Sequence, residues 1–173
     1  DGIDLDFEFP GGEGLDAGKG SPQDGANYLS LVKELRAKLD TLASTKTHKR
    51  YELTTAIGVG PAQLRNWAAS SRIGDMMPYL DRLGLMTYDF SGAWANEVGF
   101  NSALGAPQGS HQVNIKTVFD TLKRDHGVTN DHMKKISLGL GFYGRSHGAV
   151  ANAAPADLPG TMSSGGGEGG TVE

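Results

Sequence analysis

Apolar and polar residues alternate from the first position: Ile3, Leu5, Phe7 and Phe9 interleave with Gly2, Asp4, Asp6 and Glu8. A period of two predicts a strand over residues 1–9, ended by Pro10 and Gly11-Gly12. Past a glycine-rich stretch to Gly20, Ser21 reads as a helix cap, with Pro22 at the first helical position and Asp24 three residues on. The helix expected over about 24–43 carries Tyr28, Leu31, Val32, Leu35, Leu39 and Leu42 on one face. Lys33, Glu34, Arg36 and Lys38 fall mostly on the other. Residues 51–59 (YELTTAIGV) predict a second strand, stopped at Gly60-Pro61, and residues 61–82 a helical region broken near Gly74. Residues 83–90 (LGLMTYDF) predict a third strand, 113–125 a helix with Val113, Val118, Phe119 and Leu122 as its apolar face, and 136–143 (ISLGLGFY) a fourth strand. From Gly148 onward the chain turns to Ala, Pro, Gly and Ser with no period.

Strands alternating with helices predict an α/β fold built on a parallel sheet with right-handed crossovers. The G-x-G-x-x-G at Gly139–Gly144 overlaps the fourth predicted strand and opens no helical pattern, which argues against a dinucleotide-binding sheet and leaves a (β/α)8 TIM barrel. Chemistry in such barrels sits at the C-terminal ends of the strands, where Glu8, Tyr88, Asp89, Tyr143 and Arg145 fall. A whole barrel takes eight strands and about 250 residues, so four predicted strands in 173 residues read as a partial barrel. A start at Asp1 and a stop at Glu173 with no closing element fit a fragment of a longer gene product, with any signal peptide outside it. With two open strand edges, the piece alone is expected to fold poorly.

Composition narrows the chemistry. A net charge of −4 offers no basic footprint for nucleic acid. No apolar run reaches the length of a membrane span, and without cysteine there is no disulfide framework or thiolate site. The five histidines (His48, His111, His126, His132, His147) show no paired metal-ligand spacing, so no metal or other cofactor is expected. His126, near a helix C-terminus, reads as a favourable contact with the helix dipole, and Trp67 as helix packing.

Asp4, Asp6 and Glu8 lie at alternate positions, on one strand face and about 6.6 Å apart in successive steps. On a buried strand each pushes its neighbours toward the protonated form, which yields a carboxylic acid able to donate a proton near neutral pH. Glu8 is nearest the strand's C-terminal end. A calcium loop also spaces acids alternately, but it needs polar residues between them and a glycine at its sixth position. A solvated edge strand with acids facing water is the plainer alternative.

The segment Asp1-Gly2-Ile3-Asp4-Leu5-Asp6-Phe7-Glu8 resembles the D-G-x-D-x-D-x-E signature of family 18 glycoside hydrolases, the chitinases. The FPGG that follows, SPQDG, YELT, Met86-Thr87-Tyr88-Asp89-Phe90 with Gly92, and Phe142-Tyr143-Gly144-Arg145 are similar, in the same order, to bacterial members of the chitinase A type. The resemblance implies that the four strands are barrel strands four to seven. It implies a partial barrel catalytic domain over residues 1–147 and, over 148–173, the start of an α+β insertion. The substrate implied is chitin or chito-oligosaccharides, cut at β-1,4-N-acetylglucosamine linkages with retention, the substrate's own acetamido oxygen serving as nucleophile. Glu8 is then the general acid and later base. Asp6 holds the acetamido N–H, Asp4 holds Asp6's proton at rest, and Tyr88 bonds the acetamido oxygen. Met86, Asp89, Tyr143 and Arg145 line the sugar site, and Trp94 is an aromatic platform or a packing residue. The resemblance further implies a secreted monomer.

The chain departs from the family pattern at Phe7, where Trp is commoner, and in lacking the first three strands and the eighth. A lectin of the same fold and an endo-β-N-acetylglucosaminidase are the competing functions; the presence of Glu8 argues against the lectin.

Overall fold

The structure is a computed structural model that describes residues 1–46, 50–95, 98–106, 112–146 and the backbone of 171–172. The alternation at the start makes strand β1 (Gly2–Asp6), and YELTTAIGV supplies β2 (Glu52–Gly58). These pair in parallel with Asp4 opposite Thr54 and Leu5 opposite Thr55. Strand β3 (Arg82–Met86) pairs in parallel with β4 (Ile136–Leu138), and the sheet order is β1-β2-β3-β4. Sequential order with parallel pairing requires a crossover between neighbours. Helix α1 (Asp24–Lys46) links β1 to β2, α2 (Pro61–Ala68) with a 3-10 turn at Ile73–Asp75 links β2 to β3, and α3 (Ile115–His126) links β3 to β4.

The strands are shorter than the patterns predicted. β1 stops at Asp6, β3 at Met86 and β4 at Leu138, so Glu8, Tyr88, Asp89 and Tyr143 all lie past strand ends rather than within strands. The apolar pattern runs past the ladder hydrogen bonds because residues leaving a sheet still pack on its neighbours: the Phe9 ring lies over Gly58 of β2, where an added Cβ would sit 2.6 Å from the ring. The helical region over 61–82 is a single eight-residue helix followed by turns. Helix α1 begins at Asp24, later than the Ser21 cap implied, yet the reciprocal hydrogen bonds of a cap are present. Gln23 N–H donates to Ser21 Oγ at 3.2 Å and Ser21 N–H to Asp24 Oδ2 at 2.9 Å.

The chain divides into two compact units: Asp1–Leu85 with Asp120–Leu138, and Met86–Phe119 with Gly139–Glu173. In the first, Leu53, Ile57, Leu83 and Leu85 of the sheet are buried, as are Val32 and Leu39 of α1 and Leu64 and Trp67 of α2. Alternation then sets the other side of the strands apart. Asp4 and Asp6 are exposed, and Thr54, Ala56 and Gly84 are half-buried. β1 is the outer strand, so its carboxylates are not on the buried strand expected above.

Three residues of α1 behave differently from expectation. Arg36, assigned to the polar face of α1, is 5% exposed. Leu31 and Leu42, assigned to the apolar face, are exposed. A 23-residue helix at 3.6 residues per turn drifts relative to one sheet, and Arg36 is drawn under by acceptors: Tyr51 O at 2.8 Å and Asp81 Oδ2 at 3.1 Å.

His126 corrects the dipole reading. It is 1% exposed, and its Nδ1 has no hydrogen-bond partner among the described residues. Burial lowers its pKa below 6.5, opposed in part by Asp125. The folded state therefore holds the neutral imidazole, whereas the unfolded chain takes up a proton near 6.5. Stability contributed by the neutral ring is complete above that pH and is lost as pH falls toward the folded value. Thermal melts of the full-length protein are expected to show a lower Tm at pH 5 than at pH 7.5. His126→Phe is expected to flatten that difference.

The second unit holds the residues after β3 and after β4. Within it Gly144–Arg145 (β5) pairs antiparallel with Thr171–Val172 (β6). The insertion expected over 148–173 otherwise lies outside the described residues.

Candidate active site

Two constellations contain the predicted residues other than Met86. The first is built on β1. Asp4 and Asp6 share a face, and Thr54, opposite Asp4 on β2, donates its hydroxyl to Asp4 Oδ1. On the other face Thr55 Oγ1 donates to Leu5 O at 3.0 Å and lies 2.6 Å from Tyr28 Oη of α1. Tyr28 stacks edge-on against Trp67, ring centres 5.2 Å apart. Burial raises the pKa of the Tyr28 hydroxyl; the Thr55 hydrogen bond opposes this, and Asp4 and Asp6 add to it. The strand that carries the acids is thereby tied to both helices. Phe7, 53% exposed, has its ring 6.3 Å from that of Tyr28, so its side chain goes to the helix side, as expected for a residue pointing away from the acids. Glu8 is exposed at the exit of β1. A cavity of about 420 Å³ beside β1 and α1 is lined by Asp4, Asp6, Phe7, Asn27, Tyr28 and Leu31, among others.

The second constellation lies in the other unit and centres on Asp89. Its Oδ1 accepts Tyr143 Oη at 2.6 Å and Arg145 Nε at 2.8 Å. The Arg145 guanidinium also lies over two aromatic rings, 5.1 Å from the centre of Trp94 and 5.3 Å from that of Tyr143, and cations favour such ring faces. Tyr88 meets Tyr143 at 6.2 Å in an edge-on contact. Trp94 is 60% exposed, so its ring is presented to solvent with only part of it packed. Burial, then Asp89, push the pKa of Tyr143 above its usual value, while Arg145 pulls it down.

Asp89 has φ +57°, a left-handed conformation that Asp tolerates better than most residues. Asn101 supports it: its Oδ1 accepts the Asp89 N–H at 3.0 Å, and its Nδ2 donates to Tyr143 O at 3.2 Å. Sequence reasoning missed Asn101 and Thr54. A lone loop Asn and a strand Thr carry no local signal; both are defined by partners 12 and 50 residues away.

Asp4, Asp6 and Glu8 are thus gathered on β1 and its exit, and Tyr88, Asp89, Trp94, Tyr143 and Arg145 around one carboxylate, while Met86 closes β3. No group of three or more His, Cys, Asp or Glu able to hold a metal occurs among the described residues. Among them, no helix is long and apolar enough to cross a membrane.

Parallel strands joined by helices, with carboxylates at a strand exit, are the architecture of the barrel glycosidases, and comparison with known proteins specifies the family. The sequence profile of Glycosyl hydrolases family 18 matches residues 1–170, and the chain belongs to that family. It is 35% identical, over 92% of its length, to Chitinase A of Pseudoalteromonas piscicida, of which it covers 21%. It is 38% identical, over 95% of its length, to a probable endochitinase of Caenorhabditis elegans, covering 24% of that protein. A family 18 N-acetylglucosaminidase from Paenibacillus barengoltzii superposes with a TM-score of 0.81 at 28% identity, over 99% of this chain and 47% of that one. The chain thus spans about a fifth to a quarter of the curated relatives it matches. Its fold is part of the family's (β/α)8 barrel, as the alternating pattern implied.

Proposed function

We propose that this chain is the central part of the catalytic domain of a chitinase, a retaining hydrolase of β-1,4-N-acetylglucosamine linkages in chitin and chito-oligosaccharides. The observation that carries the reading is the set of acids on β1 in a family 18 chain: Asp4 and Asp6 on one face, Asp4 held by Thr54, and Glu8 at the exit. The names of the relatives point to the same substrate class.

In this reading Glu8 protonates the glycosidic oxygen as that bond breaks, and the substrate's acetamido oxygen closes on the anomeric carbon. Asp6 accepts the acetamido N–H, Asp4 stores Asp6's proton at rest, and the Tyr88 hydroxyl donates to the acetamido oxygen. Glu8, now a carboxylate, takes a proton from water as that water opens the ring from the opposite side, and retention results. Tyr143 and Arg145, pinned by Asp89, line the sugar site together with Met86, and Trp94 offers its face to a sugar. Residues 1–147 form the barrel part, and 148–173 begin the insertion. An insoluble polymeric substrate fits secretion, and the protein is proposed to act as a monomer.

The test is release of a fluorophore from a chitobiose reporter by the full-length protein. Binding to insoluble chitin without release supports a lectin instead. Release from a glycoprotein's chitobiose core but not from chitin supports the endo-β-N-acetylglucosaminidase. Trp94→Ala is expected to leave the melting temperature nearly unchanged, because the ring is largely exposed, and to raise KM for chito-oligosaccharides several-fold. Steady-state kinetics on the hexamer checks this.

A further inference from the structure

We infer that Asp24 is a positioning residue for Glu8, an inference that rests on the catalytic reading of Glu8 above. Glu8 leaves β1 into a glycine-rich loop over residues 9–20, and that loop folds back on the backbone of Glu8 itself. Gly12 N–H donates to Phe9 O at 3.1 Å. An added Cβ at Gly14 would stand 2.1 Å from the Glu8 carbonyl oxygen. One at Gly20 would stand 2.0 Å from Gly12 N. The two ends of the loop therefore touch backbone to backbone, and Gly14 lies against the residue that carries the acid.

One side chain fastens both ends. Asp24 Oδ2 accepts Gly11 N–H at 2.9 Å and Ser21 N–H at 2.9 Å. A single oxygen thus bonds the third residue after Glu8 and the first residue beyond the loop. Asp24 is in turn held by the joint between α1 and α2. Ala26 N–H donates to Ser70 Oγ at 3.1 Å, and Gly25 is packed so closely that an added Cβ would meet Ser70 Oγ at 3.0 Å. A rigid line runs from the helix pair through one carboxylate to the loop that carries Glu8. A loop has many conformations of similar energy, and a proton donor acts only within hydrogen-bond reach of its target. The role of Asp24 is to remove those alternatives, not to touch sugar.

The experiment is steady-state kinetics of the full-length protein on the chitobiose reporter, with thermal melts to normalise for folded enzyme. Asp24→Ala is expected to lower kcat about tenfold or more, as misplacement of a catalytic group does. KM is expected to hold within about twofold, because no substrate contact is removed. Asp24→Asn keeps an acceptor oxygen and is expected to recover most of kcat. Should Asp24→Ala fail to fold, Gly14→Ala is read in its place, displacing the loop from the Glu8 side with the same expected split. A parent-like kcat in the variant read, a loss confined to KM, or no recovery by Asp24→Asn where Asp24→Ala folds overturns the inference. Glu8→Gln runs alongside. If it is as active as the parent, the catalytic reading of Glu8 falls and takes this inference with it. If it is disabled while the variant read is parent-like, the inference alone falls.

Discussion

Glu8→Gln in the full-length protein is expected to lower kcat on the chitobiose reporter by at least about two orders of magnitude, with KM little changed. Glutamine matches glutamate in shape, so the sugar contacts persist, but an amide neither gives up a proton to the leaving oxygen nor takes one from water. Both halves of the proposed reaction are therefore disabled by one substitution. Partial activity at the level of a few tenths of the parent would mean that the proton comes from elsewhere. Asp4 and Asp6 of β1 precede Glu8, so Asp6→Asn measured beside it tests the nearer of them as the source. The melting temperature of Glu8→Gln is expected to match the parent's, because the side chain is exposed at the strand exit. Loss of activity with an unchanged melt is then a chemical effect and not a folding one.

The largest expected effect on stability is at Asp81, far along the chain from Glu8. Asp81 Oδ2 accepts Leu53 N–H at 2.9 Å and Arg36 Nη1 at 3.1 Å, while Oδ1 accepts Arg50 Nε at 2.8 Å. Its own N–H donates to Leu53 O at 2.9 Å. The residue thus stitches the approach to β3 onto β2 and neutralises the buried Arg36. Arg36 keeps a second acid, Asp40, at 2.6 Å, but that contact is not aligned as a hydrogen bond. Asp81→Ala leaves Leu53 N–H without its acceptor and the buried Arg36 with Asp40 alone among the described acids, and is expected to cost about 3 kcal/mol, read from urea unfolding of the full-length protein at pH 7.

The pH dependence follows from the same contacts. Burial alone raises the Asp81 pKa, but the Leu53 N–H, then Arg50 and Arg36, outweigh it and hold the carboxyl below 3.8. The unfolded chain binds the proton first as pH falls. The contribution is therefore complete above about pH 4 and disappears as pH drops through the folded value. The difference between parent and Asp81→Ala is expected to shrink below that point. A penalty under about 1 kcal/mol at pH 7 would place this network among ordinary surface ion pairs.

Much of this was written in local pattern. Alternation over Gly2–Glu8 sets the acids on one face because a strand's period is two, and the structure keeps Asp4 and Asp6 together for that reason. Strand-helix alternation dictated a parallel sheet, since parallel neighbours need a crossover. The acid motif and the later Met86–Phe90 and Phe142–Arg145 segments carried the family, which the profile match over residues 1–170 bears out.

What the sequence by itself determined, then, is the order of elements, the faces of the strands and the placing of Asp4 and Asp6 on one of them, because each depends on spacing within one segment. Tertiary structure decided the rest. Arg36 reads as a surface cation until Tyr51 O and Asp81 supply acceptors beneath it. His126 reads as a charge at a helix end until burial removes the water that would solvate that charge. The grip of Asp89 on Tyr143 and Arg145 joins residues 54 and 56 positions apart, and the grip of Asp24 on Gly11 spans 13. A hydrogen bond requires atoms about 3 Å apart, and only the folded path of the backbone brings such distant positions within that reach.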